Sequence, residues 1–86
     1  MFKKYKIEIK KSAVKEIRQL PPKDLKIILK KISGLGDNPR PSDSKKLSAQ
    51  ERYRLRYRHY RILYEIIDER LIVYVVKVSH RKDVYR

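Results

Sequence analysis

Residues 52–67, RYRLRYRHYRILYEII, decide the fold. In the first part of this stretch, Tyr53, Leu55 and Tyr57 alternate with arginines. Because successive side chains of a β-strand point to opposite faces, the alternation predicts a strand with one apolar face and one arginine face. Residues 60–67 predict a second strand. The arginines expected to share a face of the first strand are Arg52, Arg54, Arg56 and Arg58.

A third strand is predicted over residues 71–78, LIVYVVKV, which are almost continuously apolar. Such a run is typical of a strand buried on both faces. We therefore expect it to be central, covered by helices on one side and partly buried on the other. The charged residues 68–70, DER, predict the turn that joins it to the preceding strand.

The residues before this region predict a strand followed by a helical hairpin. Residues 3–10, KKYKIEIK, alternate polar and apolar side chains, and Ser12 is placed to cap a helix. Pro21 and Pro22 end this helix and suit the first turn of the next one, which Gly34 is placed to terminate. The apolar stripes of the two helices are Ala13, Ile17 and Leu20, then Leu25, Ile28, Leu29 and Ile32.

The predicted element order is β-α-α-β-β-β in a single domain, residues 1–86, with residues 36–44 as the loop between helices and sheet. This order predicts a two-layer α+β fold. An N-terminal strand and a two-helix hairpin pack on a mainly antiparallel four-stranded sheet. A chain of 86 residues has room for one small core and no second catalytic domain.

The charge balance indicates a polyanionic partner. Lys and Arg total 24 and Asp and Glu total 10, for a net charge of +14, which attracts nucleic acid strongly. Cysteine is absent, so disulfides and thiolate metal sites are excluded, and we expect no metal and no cofactor. No run reaches the roughly 18 apolar residues of a membrane span. We expect a cytoplasmic protein that binds RNA and no membrane.

Five arginines lie between Arg52 and Arg61, and this region is the strongest candidate for chemistry. Guanidinium groups present rigid forks that match phosphate oxygens, so a row of them can follow a nucleic-acid backbone. The alternative is an exposed strand face that only water and counterions solvate. Four residues are predicted to contact RNA without taking part in the chemistry: Arg52, Arg58, Lys45 and Lys46.

A second cluster, SHRKDVYR at residues 79–86, directly follows the central strand. In an antiparallel sheet, His80, Arg81 and Tyr85 are expected to converge with the row formed by Arg54, Arg56 and Arg61. Taken singly, Tyr85 is also compatible with an aromatic lid on a small core, and His80 with an ordinary surface histidine.

Together, YRLRYRHYRILYEI at 53–66 and IVYVVKVSHRKDVY at 72–85 resemble the RelE/ParE toxin superfamily. Its members show a YRLR strand, a strand in which YR precedes two hydrophobic residues and a tyrosine, and an ending in His or Lys, Arg, three residues and Tyr. The RelE branch is the more similar one. The resemblance implies the toxin of a type II toxin–antitoxin system, a ribosome-dependent endoribonuclease held inactive by a wrapping antitoxin. Its partners would be the 70S ribosome and messenger RNA, which is cut in the A site by attack of a ribose 2′-OH on the adjacent phosphate.

The resemblance also implies roles for individual residues. Arg54 and Arg56 match the basic pair of the first catalytic strand, Arg61 the arginine of the YR motif, Arg81 that of the tail and Tyr85 the terminal tyrosine. Arg61 and Arg81 would stabilise charge on the phosphate, and Tyr85 would stack on a base or transfer a proton.

Two departures from the family pattern change the expected chemistry. RelE carries lysines at the basic pair, whereas arginine practically never loses its proton. His80 then becomes the candidate base, and the alternative is that no protein base acts and positioning carries the rate. In addition, Arg58 and His59 occupy a hairpin turn where many relatives have Gly-Asp, so we expect a strained or wider turn.

Two other functions are compatible with the same sequence. One is a ParE-like inhibitor of DNA gyrase, which binds without catalysis. The other is a non-catalytic module or relic that binds RNA or the ribosome.

Overall fold

The computed structural model describes residues 4–47 and 52–80, which form two helices, five strands and one short 3-10 turn. The helices are α1 (Lys11–Arg18) and α2 (Pro22–Gly34), and the turn is Asp68–Arg70. The strands are β1 (Lys6–Ile9), β2 (Ser44–Leu47), β3 (Arg52–Tyr57), β4 (Tyr60–Ile67) and β5 (Ile72–His80).

The strands form one sheet in the order β1-β5-β4-β3-β2. Among the described strands, only β1 and β5 pair in parallel, and the other three pairings are antiparallel. The α+β fold and the interior place of β5 are confirmed. The described sheet has five strands rather than four, because SKKL at residues 44–47 pairs with β3 as an edge strand. This segment has no alternation of apolar residues, so the sequence gives it no strand signal.

The helix boundaries follow from how the chain leaves β1. The Lys10 N–H donates to the Val75 carbonyl at 2.9 Å, which holds the chain beside β5 up to that residue. Helix α1 therefore begins at Lys11, and no side chain caps it, so the predicted Ser12 cap is wrong. Helix α2 starts at Pro22 and ends at Gly34 as predicted, but Leu35 follows with a right-handed φ of −66°.

The core lies between the helices and one face of the sheet. Tyr64 is its largest fully buried side chain, and the Tyr64 hydroxyl donates to the Pro39 carbonyl at 2.8 Å. This bond satisfies the one polar atom that the ring carries into the core. The buried apolar residues are Ala13, Ile17, Ile28, Ile32, Leu35, Tyr53, Leu55, Tyr60, Ile62, Tyr64, Ile66, Val73, Val75 and Val78.

A polar cluster fixes the loop that leads into β2. The Arg40 guanidinium donates to both Asp68 oxygens, at 2.8 and 3.4 Å, and its Nε donates to the Tyr53 hydroxyl at 3.0 Å. Asp68 also accepts a 2.6 Å bond from the Tyr5 hydroxyl, and this bond raises the pKa of Tyr5. The loop, β1 and the end of β4 are thus held together, which sets the position of β2 against β3.

Candidate nucleic-acid interface

The candidate site lies on the face of the sheet opposite the helices. Tyr53 and Leu55 of β3 point into the core, so the residues between them point away from it. Cross-strand pairs share a face, and the register places Arg61 of β4 directly opposite Arg56, and Lys45 of β2 directly opposite Arg54. We call these four residues, Lys45, Arg54, Arg56 and Arg61, the arginine face.

The pairing of Arg56 with Arg61 is the unusual feature of this surface. Directly opposed residues in antiparallel strands have Cβ atoms roughly 4.5–5.5 Å apart, and like charges at that spacing are destabilising. On its other side, Arg61 is opposite Ser79 of β5, which is only 8% exposed. Ser79 was missed by the sequence reasoning.

A recess lies at the β2 side of the arginine face. A cavity of about 270 Å³ is lined by Lys45, Arg54 and Arg56 together with residues 42–44. The Asp43 carboxylate lies 3.8 Å from the Lys31 ammonium, so a helix lysine partly neutralises the one acid of this lining. The recess is therefore cationic and suits a phosphate group.

The structure does not bring all the predicted RNA contacts to this face. Arg52 forms a 2.8 Å ion pair with Glu65, its cross-strand neighbour, so this guanidinium is committed to a carboxylate. Lys46 is paired with Tyr53 and lies on the helix side of the sheet. Arg58 lies beyond the end of β3, so it does not continue the row. Arg52 thus shares the face of Arg54 and Arg56 but is ion-paired, whereas Lys46 and Arg58 do not lie on that face. Contact of these three residues with RNA stays a prediction.

The hairpin between β3 and β4 is tight. Tyr57 pairs with Tyr60, which leaves a two-residue turn, and Arg58 adopts a left-handed φ of 54°. The turn is therefore not wider than two residues, and a non-glycine residue takes the conformation that usually favours glycine. The Arg58 guanidinium lies 5.5 Å from the centre of the Tyr57 ring, a cation–π contact.

His80 does not join the arginine face either. It is paired with Tyr60, on the helix side of the sheet, and its ring packs edge-on against Tyr60 with centroids 5.0 Å apart. The centre of the His59 ring lies 5.8 Å from the centre of the His80 ring. The Tyr60 hydroxyl donates to Asp24 at 2.9 Å, and burial together with this bond raises the pKa of Tyr60. The expected convergence of His80 with the arginines is wrong.

Arg81 and Tyr85 lie outside the described residues, so their catalytic roles stay predictions. Within residues 4–47 and 52–80, no three His, Cys, Asp or Glu side chains are grouped closely enough to hold a metal ion. Over the same ranges, no helix has the length and apolar character needed to cross a membrane.

The family model of the ParE toxin of the type II toxin–antitoxin system parDE matches residues 7–85, nearly the whole chain. The chain belongs to the RelE/ParE toxin superfamily. Within this superfamily, the toxin is RelE-like, since its relatives carry RelE names. Over 87 residues it is 33% identical to the putative toxin RelE1 of Methanocaldococcus jannaschii, covering 96% of this chain and 97% of the relative. It is 29% identical to the mRNA interferase toxin RelE of Escherichia coli, covering 91% and 84%.

Solved structures agree with this RelE-like assignment. The archaeal RelE–RelB complex from Pyrococcus horikoshii matches with a TM-score of 0.83 at 26% identity, covering 91% of this toxin and 96% of that chain. The isolated Escherichia coli RelE toxin matches with a TM-score of 0.79 at 28% identity, covering 88% and 83%. The fold of the RelE-like toxin is therefore that of the solved RelE proteins.

Proposed function

We propose that this toxin is a ribosome-dependent endoribonuclease that cuts messenger RNA in the A site and so inhibits translation. The observation that carries the proposal is the direct opposition of Arg56 and Arg61 on an exposed sheet face, beside Arg54 and Lys45. Opposed like charges weaken a sheet, and a bound phosphate would turn this repulsion into attraction. The name of the Escherichia coli relative, an mRNA interferase, supports the same activity.

The proposed reaction needs charge stabilisation more than any other aid. The ribose 2′-oxygen attacks the adjacent phosphorus, and the 2′-hydroxyl proton leaves. The bond from phosphorus to the 5′-oxygen then breaks, which gives a 2′,3′-cyclic phosphate and a 5′-hydroxyl that takes up a proton. Negative charge grows on the phosphate oxygens during the attack, and fixed guanidinium groups at Arg56 and Arg61 would stabilise it.

No arginine of the arginine face suits the role of general base, and we assign its fourth member, Lys45, to RNA binding. Arginine does not deprotonate, and His80 lies on the other face of the sheet beside Tyr60. In the proposed mechanism, the rate therefore comes from alignment and charge stabilisation, and the 2′-hydroxyl proton passes to solvent. Arg81, as a further phosphate ligand, and Tyr85, stacking on a base or transferring a proton, complete the proposal.

A cognate antitoxin is the proposed protein partner. The similar solved structures include complexes of RelE-type toxins with RelB antitoxins, from Mycobacterium tuberculosis, Pyrococcus horikoshii and Escherichia coli. A net charge of +14 favours an acidic partner, which would cover the arginine face and compete with RNA for it.

Primer extension on messenger RNA after induction tests the proposal. The wild-type toxin is expected to produce cuts within translated codons, and Arg61→Ala to reduce them by about 10²–10³-fold, the usual effect of removing one preorganised charge-stabilising donor. Arg70→Ala is the matched control, because Arg70 is exposed and lies outside the arginine face. Full cleavage by Arg61→Ala would show that the site is assigned wrongly.

The ParE description of the matching family model favours a second candidate, inhibition of DNA gyrase. Induction that breaks DNA while messenger RNA stays intact would support it against the nuclease. Binding to ribosomes with messenger RNA left uncut would instead indicate a non-catalytic relic.

A further inference from the structure

The exposed charged residues of the two helices are all cationic. On α1 the exposed cations are spaced i, i+4 and i+7, and on α2 they are spaced i, i+3 and i+7, so each set forms a single stripe. Together we call them the basic helix layer: Lys11, Lys15 and Arg18 on α1, and Lys23, Lys26 and Lys30 on α2.

The acids of the two helices do not balance these charges, because both are turned towards the sheet. Glu16 accepts bonds from the Lys77 ammonium at 2.9 Å and from the Val78 N–H at 3.0 Å. Asp24 accepts the Tyr60 hydroxyl. Across the described parts of the chain, none of the six cations of the basic helix layer forms an ion pair.

This arrangement weakens the helices. Like charges three or four positions apart destabilise a helix, and both stripes consist of such neighbours. A surface that needed only solubility would place glutamates among the lysines and gain stability from i, i+4 pairs. The uniform charge is therefore better explained by a polyanion that binds here and supplies the counter-charge.

The surface chemistry favours RNA over a protein. Cores of protein interfaces are rich in aromatic residues and poor in lysine, whereas nucleic-acid interfaces are polar and strongly positive. Within the described ranges, the only large hydrophobic residue that is exposed is Leu29 of α2, at 43%. Five of the six cations are lysines, whose flexible point charges follow a phosphate backbone without fixing its geometry.

We propose that the basic helix layer is a second RNA-binding surface, which takes the phosphate backbone of a folded RNA while the arginine face takes the strand to be cut. The part of this inference that assigns the arginine face to the strand to be cut rests on the proposed function. The two surfaces lie on opposite sides of the sheet, in a molecule with principal extents of 39, 28 and 24 Å. One toxin molecule thereby bridges two RNA backbones.

The test compares two triple variants that remove the same charge. The helix variant is Lys15→Gln, Lys26→Gln and Lys30→Gln. The control is Lys4→Gln, Lys6→Gln and Arg70→Gln, three exposed residues outside both surfaces. Binding of each full-length protein is measured against 70S ribosomes, against protein-free ribosomal RNA and against a single-stranded 2′-O-methyl oligonucleotide, which cannot be cut by 2′-OH attack. Thermal unfolding checks that both variants fold.

The helix variant is expected to bind ribosomes and ribosomal RNA roughly tenfold more weakly than the control at physiological salt. Its plot of log affinity against log salt should be shallower by about 2, because each phosphate contact contributes about 0.7–0.9 to that slope. Binding of the oligonucleotide should match the control.

Equal affinity of the two variants for ribosomal RNA would overturn the inference. So would a loss by the helix variant confined to a co-expressed antitoxin, which would identify the surface as a protein interface. Failure of the proposed nuclease activity is a separate outcome, because it shows as uncut messenger RNA whatever the salt slopes are.

Discussion

Converting the Arg56–Arg61 pair into an ion pair should stabilise the toxin and inactivate it. In Arg56→Glu, the carboxylate lies directly opposite the Arg61 guanidinium, so a repulsive cross-strand pair becomes an attractive one. Cross-strand pairs of this kind are worth about 0.2–1 kcal/mol, and the substitution both removes a repulsion and adds an attraction, which places the gain in the upper part of that range. We expect the free energy of unfolding to rise by about 0.5–1 kcal/mol.

Such a gain corresponds to a rise in Tm of about 2–8 °C for a domain of this size. The assay is thermal unfolding followed by circular dichroism, at low salt and at about 1 M salt, where the Debye length falls to about 3 Å and the gain should shrink. Arg56→Gln removes the repulsion without adding attraction, so its Tm should lie between those of the wild type and Arg56→Glu. In the primer-extension assay, Arg56→Glu should give no cuts.

Lys4→Glu is the control for the change in net charge, because Lys4 is exposed and remote from the pair. If Lys4→Glu raises the Tm as much as Arg56→Glu, then the gain reflects overall charge and the pair does not matter. If Arg56→Glu keeps full cleavage, then the arginine face is not where the phosphate binds.

Three further predictions follow from other contacts. His80→Gln should keep cleavage within about threefold of wild type, since the proposed mechanism uses no histidine base; a loss of 100-fold or more in a folded variant would contradict this. Tyr64→Phe should lower the free energy of unfolding in urea by about 1–2 kcal/mol, because the buried Pro39 carbonyl loses its donor. The pKa values of Tyr5, Tyr60 and Tyr64 are all raised, the last mainly by burial. The folded state therefore holds protons that the unfolded chain releases near pH 10, so Tm should fall as pH rises above about 10, and less steeply in Tyr64→Phe.

The alternation of side chains predicted most of the sheet correctly. Tyr53 and Leu55 point into the core and Arg54 and Arg56 point out, because a strand with one buried face leaves its period in the sequence. The sequence of the edge strand β2, SKKL, has no such alternation of apolar and polar residues. Its place is set by pairing with β3 and by the cluster around Arg40, which are contacts between residues far apart in the chain.

A bulge explains why His80 was placed on the wrong face. Tyr64 pairs with Val75 and Leu63 with Lys77, so Val76 is an extra residue in β5. Each such insertion reverses the alternation beyond it, and here it turns Val78 and His80 to the core side of the sheet, opposite Ile62 and Tyr60. Because residues 71–78 are almost continuously apolar, nothing in the sequence marks the position of the insertion.

The pairing of Arg52 with Glu65 is a second feature that the sequence does not reveal. The two residues lie on different strands, and only the register of the hairpin brings them together at 2.8 Å. Counting arginines in one strand therefore overestimated the cations available to RNA. The tight turn at Arg58 fixes that register, so a residue in a left-handed conformation decides which arginines face one another.

The parallel pairing of β1 with β5 also limits when this toxin can complete its sheet. Lys6 is paired with Ile72, so the first strand has no neighbour in the sheet until nearly all the described chain has been synthesised. Contacts between such distant residues slow folding, since a long loop must close before they form. Ser79 of the same late strand stands beside Arg61. While the toxin is being synthesised, Arg61 therefore lacks its Ser79 neighbour until β5 has emerged from the ribosome, so the sheet beside the arginine face is the last part of the fold to form.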